Sequence, residues 1–214
     1  MTPPRNDVPF VFGNKKLPRT TAVQNVCPAA LCPSALLGLC QLKDPASECY
    51  AKREERVWAN TCLPSRLHMW EYWDRGTPWS IAHDLVEHNR SKRSKITALR
   101  INECGDFRHR ADVEKAEMVA YYLSKHGITT YCYTARRDLD FEDCEHLVVN
   151  GSGWMCHNRF QVAYAARPAP NGAGWEVKDK HNAWIHADNI CPGDCRKCSR
   201  CLIKTGQTTA VMLH

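Results

Sequence analysis

Cysteine constrains this chain more than any other residue type. Thirteen of its 214 residues are cysteine, and they are crowded rather than spread. Cys27, Cys32, Cys40 and Cys49 fall within 23 residues, with Cys62 just beyond, and Cys191, Cys195, Cys198 and Cys201 fall within 11. Cys104, Cys132, Cys144 and Cys156 stand singly between the two crowds. A chain of this length can bury a full hydrophobic core and does not need disulfide staples. Its first ten residues hold three prolines and no apolar stretch that would direct export. The expected compartment is therefore the cytoplasm, where clustered thiols point to metal.

The two crowds differ in character. The C-terminal one reads Cys191-x3-Cys195-x2-Cys198-x2-Cys201, spacings that let successive thiolates turn around one small centre. Pro192 and Gly193 suit the turn, and Arg196, Lys197 and Arg200 are expected to favour thiolate over thiol. Structural zinc usually takes two Cys-x2-Cys knuckles a dozen or more residues apart, whereas a compact run of four is more like ferredoxin ligation. A 4Fe-4S cluster is therefore favoured over zinc, which stays open as the alternative metal. Cys191, Cys195 and Cys198 also reproduce the Cys-x3-Cys-x2-Cys spacing of radical enzymes that use S-adenosylmethionine. The position of the run late in the chain and the fourth thiol, Cys201, depart from that pattern. In the N-terminal crowd, Cys27, Cys32, Cys40 and Cys49 are a second ligand set, with partly buried apolar thiols as the plainer reading.

Between the crowds the chain alternates strand and helix. Ile96–Ile101, Ile128–Tyr133, Leu147–Asn150 and Arg159–Tyr164 read as strands. Val113, Ala116, Val119, Ala120 and Leu123 recur at helical spacing, with Asp112 expected as the N-cap and Gly127 as the stop. Thr77-Pro78 opens an earlier helix, and Leu63, Leu67, Trp70 and Trp73 mark another before it. Strand, crossover helix, strand implies an α/β fold with a mostly parallel sheet, a partial or complete βα-barrel. The expected organisation is one domain over residues 1–214. It comprises an N-terminal Cys-rich segment at 26–62, a βα core at 95–165 and the C-terminal cluster at 188–204.

In such sheets ligands sit beyond the carboxyl ends of the strands. The segments following the strands are polar: Asn102-Glu103-Cys104-Gly105-Asp106, Thr134-Ala135-Arg136-Arg137-Asp138 and Gly151-Ser152-Gly153-Trp154. Asp106 or Glu103 is a candidate proton acceptor and Arg136 a candidate anion holder. Ordinary solvated loops would look much the same. The basic stretch Arg90, Lys92, Arg93, Lys95, Arg100, Arg108 and Arg110 suits phosphate or, equally, a solvated helix end. With 29 Lys+Arg against 23 Asp+Glu, the net charge of +6 permits an anionic partner without demanding one. No run of 18 apolar residues exists, so no membrane partner is expected.

Several of these segments together resemble the phage "gene product eighty-eight" family. They are Phe12-Gly13-Asn14-Lys15-Lys16-Leu17, Cys27-Pro28-Ala29, Cys49-Tyr50-Ala51, Arg100-Ile101-Asn102, Gly105-Asp106-Phe107, Tyr131-Cys132-Tyr133-Thr134 and the terminal cysteine array. The resemblance implies an iron–sulfur protein of phage origin, acting in the host cytoplasm, with a distant likeness to radical-S-adenosylmethionine barrels. It carries no reaction. Two function classes follow: a redox or radical enzyme acting on a small molecule or nucleotide, or a non-enzymatic protein that binds a host factor or nucleic acid and is braced by iron–sulfur or zinc.

Overall fold

A computed structural model describes residues 9–90, 92–170 and 172–213. The chain begins with β1 (Val11–Phe12) and β2 (Thr21–Gln24), then α1 (Pro33–Leu36), α2 (Tyr50–Val57), α3 (Cys62–Arg75) and α4 (Pro78–Arg90). There follow β3 (Ala98–Ile101), α5 (Arg110–Ser124), β4 (Thr129–Thr134), β5 (Leu147–Ser152) and β6 (Asn158–Ala163). The last part holds β7 (Ala165–Pro168), β8 (Trp175–Lys178), β9 (Trp184–Ala187), β10 (Asn189–Ile190) and β11 (Thr208–Met212). Short 3-10 turns lie at Ala29–Leu31 and Arg200–Leu202.

The main sheet has the order β1-β2-β3-β4-β5-β6-β11-β10. Only the β1–β2 pair is antiparallel. The expected parallel βα core is thus present, with β3, α5, β4, β5, β6, α3 and α4 close to where the residue pattern put them. A second sheet was not expected: β7, β8 and β9 form a three-stranded antiparallel unit inserted after β6. One boundary also differs. Helix α5 starts at Arg110, behind an N-cap at His109, and Asp112 lies inside the first turn. As the third helical residue, Asp112 reaches back with Oδ2 to accept the Arg108 amide at 2.9 Å, while Oδ1 accepts the Trp73 indole at 2.9 Å and the Arg108 guanidinium at 2.8 Å.

Chain order sets the two faces of this sheet. From β2 to β6 each strand lies beside its predecessor, so right-handed crossovers all fall on one face. That face carries the main core: Trp73, Ile81, Leu85, Val113, Val119 and Leu123 from the helices pack on Leu99, Ile101, Cys132, Leu147 and Val149 of the strands. Trp73, Phe107, Ile81 and Leu85 are fully buried, and each contributes roughly 1.5–3 kcal/mol. The step from β10 to β11 runs back toward the sheet centre. A right-handed crossover stepping backwards falls on the opposite face. This connection, residues 191–207, carries the cysteine array, and Cys201 and Leu202 pack there against Ala98, Tyr131 and Val148. We call this the inner face.

Candidate functional site

The site is built from the ends of β2, β3 and β4 upward. Leaving β2, the chain runs through Asn25 to Cys27, and leaving β3 it turns through Asn102 to Asp106. The two loops touch. The Cys104 amide donates to Asn25 Oδ1 at 3.1 Å, Cys27 Sγ lies 3.4 Å from the Asp106 carbonyl, and Cys104 Sγ lies 3.8 Å from the Cys27 carbonyl. Such closeness requires Gly105, whose φ is +70°. An added Cβ would collide with the Cys27 carbonyl and come within 2.7 Å of its sulfur.

Buried polar side chains pin the rest of the N-terminal cysteine segment. Glu55 accepts the Ala29 and Ala30 amides at 2.7 and 3.0 Å, and is itself paired with Arg66 at 3.2 Å. Gln41 donates to Ser152 and to the Phe160 carbonyl, and accepts the Val162 amide at 2.9 Å. Cys27, Cys32, Cys40 and Cys49 thereby become neighbours along a chain of electrostatic contacts, and buried Cys104 joins them next to Cys27. Burial pushes the Cys27 thiol up to about 11 and Cys32 up to about 12, and raises Cys40 and Cys104, with Asp106 adding to the first three. All four are protonated, unreactive thiols unless a metal displaces the proton.

The C-terminal array hangs on two buried asparagines. Asn150 donates to the Cys132 carbonyl at 3.0 Å and to the Cys201 carbonyl at 3.1 Å. Asn158 donates to the Ile203 carbonyl at 2.8 Å, and its oxygen accepts the Thr205 amide at 2.8 Å and hydroxyl at 2.7 Å. The Cys195 amide donates to the Lys16 carbonyl at 3.1 Å, joining the array to the β1–β2 turn. Cys191, Cys195 and Cys198 all act electrostatically on Cys201. Burial pushes Cys201 up to about 11 and raises Cys195, so at these two thiols the expected bias toward thiolate is absent. Arg196 and Lys197 turn instead to Asp194, at 2.7 and 3.8 Å. Among the described residues no three His, Cys, Asp or Glu side chains stand in a geometry ready to hold a metal ion.

The three polar candidates are placed at the same strand ends but are heavily engaged. Asp106 is 4% exposed. Its carboxylate accepts the Ser34 hydroxyl at 2.5 Å and the Ala135 and Phe107 amides at 2.8 Å each. Burial raises its pKa while these hydrogen bonds pull against the rise. Arg136 donates to the carbonyls of Phe107 and Arg108 and grips both oxygens of Asp138 at 2.8 Å. Both residues clamp loop to loop. Glu103 is more open: the Asn14 amide donates to its carboxylate, and the Tyr50 hydroxyl donates to its backbone carbonyl.

Residues from separate motifs thus converge on one place. Asn14 and Tyr50 meet Glu103, Cys27 meets Gly105 and Asp106, and Arg100 lies 4.8 Å from the Tyr133 ring centre. The sequence profile of the gene product 88 family matches residues 9–153. The chain belongs to this family. The matched segment includes β1 to β5, the N-terminal cysteines, Glu103, Asp106 and Arg136, and ends before the terminal array. No curated protein and no solved structure matches the chain significantly. In this family member the polar clamps Glu55–Arg66, Gln41, Asn150 and Asn158 escaped the sequence reasoning. An Asn at the end of the run Leu147–Asn150 was the available signal, since strands seldom bury Asn without a use for its amide. Two concavities of about 350 and 300 Å3 are lined by Trp73, Asp74, Arg108 and Lys115, and by Pro170, Glu176, Trp184 and His186, and contain no cysteine.

Proposed function

We propose that this chain is an iron–sulfur protein in which Cys191, Cys195, Cys198 and Cys201 hold a 4Fe-4S cluster on the inner face of the sheet. The observation that carries this reading is the array's placement: four thiols lie in one crossover, whose Cys201 end is tied down by Asn150 and Asn158 and packed on Tyr131 and Val148. Four thiolates are a soft donor set that suits iron–sulfur and, as the alternative, zinc. Closure would need the thiols to draw together and lose their protons, which metal binding drives. When bound, the cluster would supply one-electron chemistry. The chain's own contribution is to hold the array and to shield it, with Tyr133 donating a hydrogen bond to Cys201. Cys27, Cys32, Cys40 and Cys49 are the second donor set.

Anaerobic purification tests this. Iron and acid-labile sulfide in near-stoichiometric amounts, with a brown chromophore, are expected. A colourless protein lacking both overturns the reading, and four-thiolate zinc in their place would make the protein a braced binding module for nucleic acid or a host protein. A radical enzyme using S-adenosylmethionine is the second reading, favoured by the parallel strands β2 to β6 lying in chain order as in a barrel wall. Release of 5′-deoxyadenosine under strong reductant would support it, and its absence would argue against it.

A further inference from the structure

Most of the arginines near the sheet have carboxylate partners. Arg108 pairs with Asp74 and Asp112 at 2.6 and 2.8 Å, Arg110 with Asp140 at 2.6 Å, Arg136 with Asp138 at 2.8 Å and Arg66 with Glu54 at 2.8 Å. Arg100, the third residue of β3, is different. Among the described residues its guanidinium has no carboxylate within 4 Å and no hydrogen-bond acceptor, and its Nε is buried without a partner. It faces the ring of Tyr133, and Tyr50, Tyr131 and Glu103 act on it only from longer range. A half-buried guanidinium whose Nε is cut off from water and has no partner gains from an anion that joins it.

Two neighbouring features show a place for that anion. Asn102, two residues further on, is 3% exposed, holds a left-handed φ of +63°, and leaves both side-chain polar atoms buried without a partner. Non-glycine residues persist in that conformation where the surrounding structure enforces it, commonly at ligand sites. Tyr50 keeps 53% of its surface open, although burial pushes its hydroxyl up to about 12. Its hydroxyl donates to the Glu103 carbonyl, which holds the ring beside this strand end.

We propose that Arg100 anchors the anionic group, carboxylate or phosphate, of a small ligand bound on the inner face beside Tyr50 and Tyr133. Asn102 supplies an unused donor and an unused acceptor at the same strand end. The inference deepens the reading of the inner face as the functional site. Its occupant is a ligand distinct from the array, whose own guanidinium contact is Arg200, 4.0 Å from Cys198.

The test uses reduced, metal-free full-length protein with inorganic phosphate, pyrophosphate or malonate, each against sodium chloride at equal ionic strength. At ten times its Kd an anion should raise Tm by about 3 °C, and shift the Arg100 Nε–Hε resonance. Arg100→Met should lose the Tm response and bind the probes at least tenfold more weakly. Arg100→Lys should keep part of the response. The phosphate and malonate arms tell the two anion chemistries apart. No response to any probe overturns the inference, as does an equal response in Arg100→Met. Should that variant not fold, a wild-type Nε–Hε resonance unmoved by every probe overturns it. Iron and sulfide from a parallel anaerobic preparation keep the two readings separate: anion binding through Arg100 can survive their absence, and a loaded cluster can survive an indifferent Arg100.

Discussion

Replacing Asp106 separates a proton acceptor from a clamp. Its carboxylate accepts two backbone amides, Ala135 and Phe107, and the Ser34 hydroxyl, all in the interior. In Asp106→Ala the hydroxyl can rotate toward another acceptor, but the two amides are fixed. Each orphaned donor costs about 1–3 kcal/mol, which puts the loss near 4 kcal/mol. Asp106→Asn keeps one acceptor oxygen and turns an NH2 group toward a donor, for a loss of about 2 kcal/mol. With a urea slope of about 2.5 kcal/mol per molar, the unfolding midpoint should fall by roughly 1.6 M for Ala and 0.8 M for Asn. A stability of about 5–15 kcal/mol leaves both variants folded without denaturant. Equilibrium unfolding followed by tryptophan fluorescence reads these shifts. An Asn variant within about 0.2 M of wild type would refute the clamp, and would return Asp106 to the role of a proton acceptor.

Two further outcomes follow from buried side chains elsewhere. Burial works to raise the Asp112 pKa, but hydrogen bonds from Arg108 and Trp73 hold it below the usual carboxylate range, with Asp74, His109 and Lys115 also nearby. Its stabilising effect is therefore complete above the unfolded value of about 3.9 and is lost as pH falls through the lower folded value. The gap in urea midpoint between wild type and Asp112→Asn should shrink below about pH 4; a gap unchanged from neutral to strongly acid pH would contradict this. Asn158→Ala removes the hydrogen bonds to Ile203 and Thr205. Trypsin should then cut at Arg196, Lys197 and Arg200 several-fold faster, while an unchanged rate would mean the array is held by other contacts.

The sequence showed what depends on local pattern. Strands β3, β4 and β5 are runs of apolar and β-branched residues because both faces of a parallel sheet are covered, and α5 shows its buried stripe at helical spacing. Strand β2 was missed because Thr21–Gln24 is four residues long and ends in a buried glutamine whose amide reaches the Met69 carbonyl on α3. The small antiparallel sheet had its signal in Asn171-Gly172, a hairpin dipeptide, ahead of the alternating Trp175–Lys178. At the site, spacing separated the two cysteine crowds but not Cys104, which the fold brings beside Cys27, and the polar loops after β3 and β4 were legible as a rim. Which rim residue was already engaged was not legible, because the partners of Asp106 come from positions 34 and 135. Arg100 was hidden for the same reason. Within a basic run it resembles Arg108 and Arg110, and only the fold gives carboxylates to those two and none to it.

The position of β11 has a consequence for assembly. It lies between β6 and β10, yet it is made after both, and the whole cysteine crossover precedes it. During synthesis β6 must therefore wait with an open edge, exposed to stray pairing, while the thiols emerge. Only the arrival of residues 208–212 closes that gap and fastens the crossover behind it. On the function proposed above, a crossover that takes up its metal early would act as a placeholder over the unfinished sheet. The chain is most vulnerable to aggregation and proteolysis in this interval, before its sheet is complete.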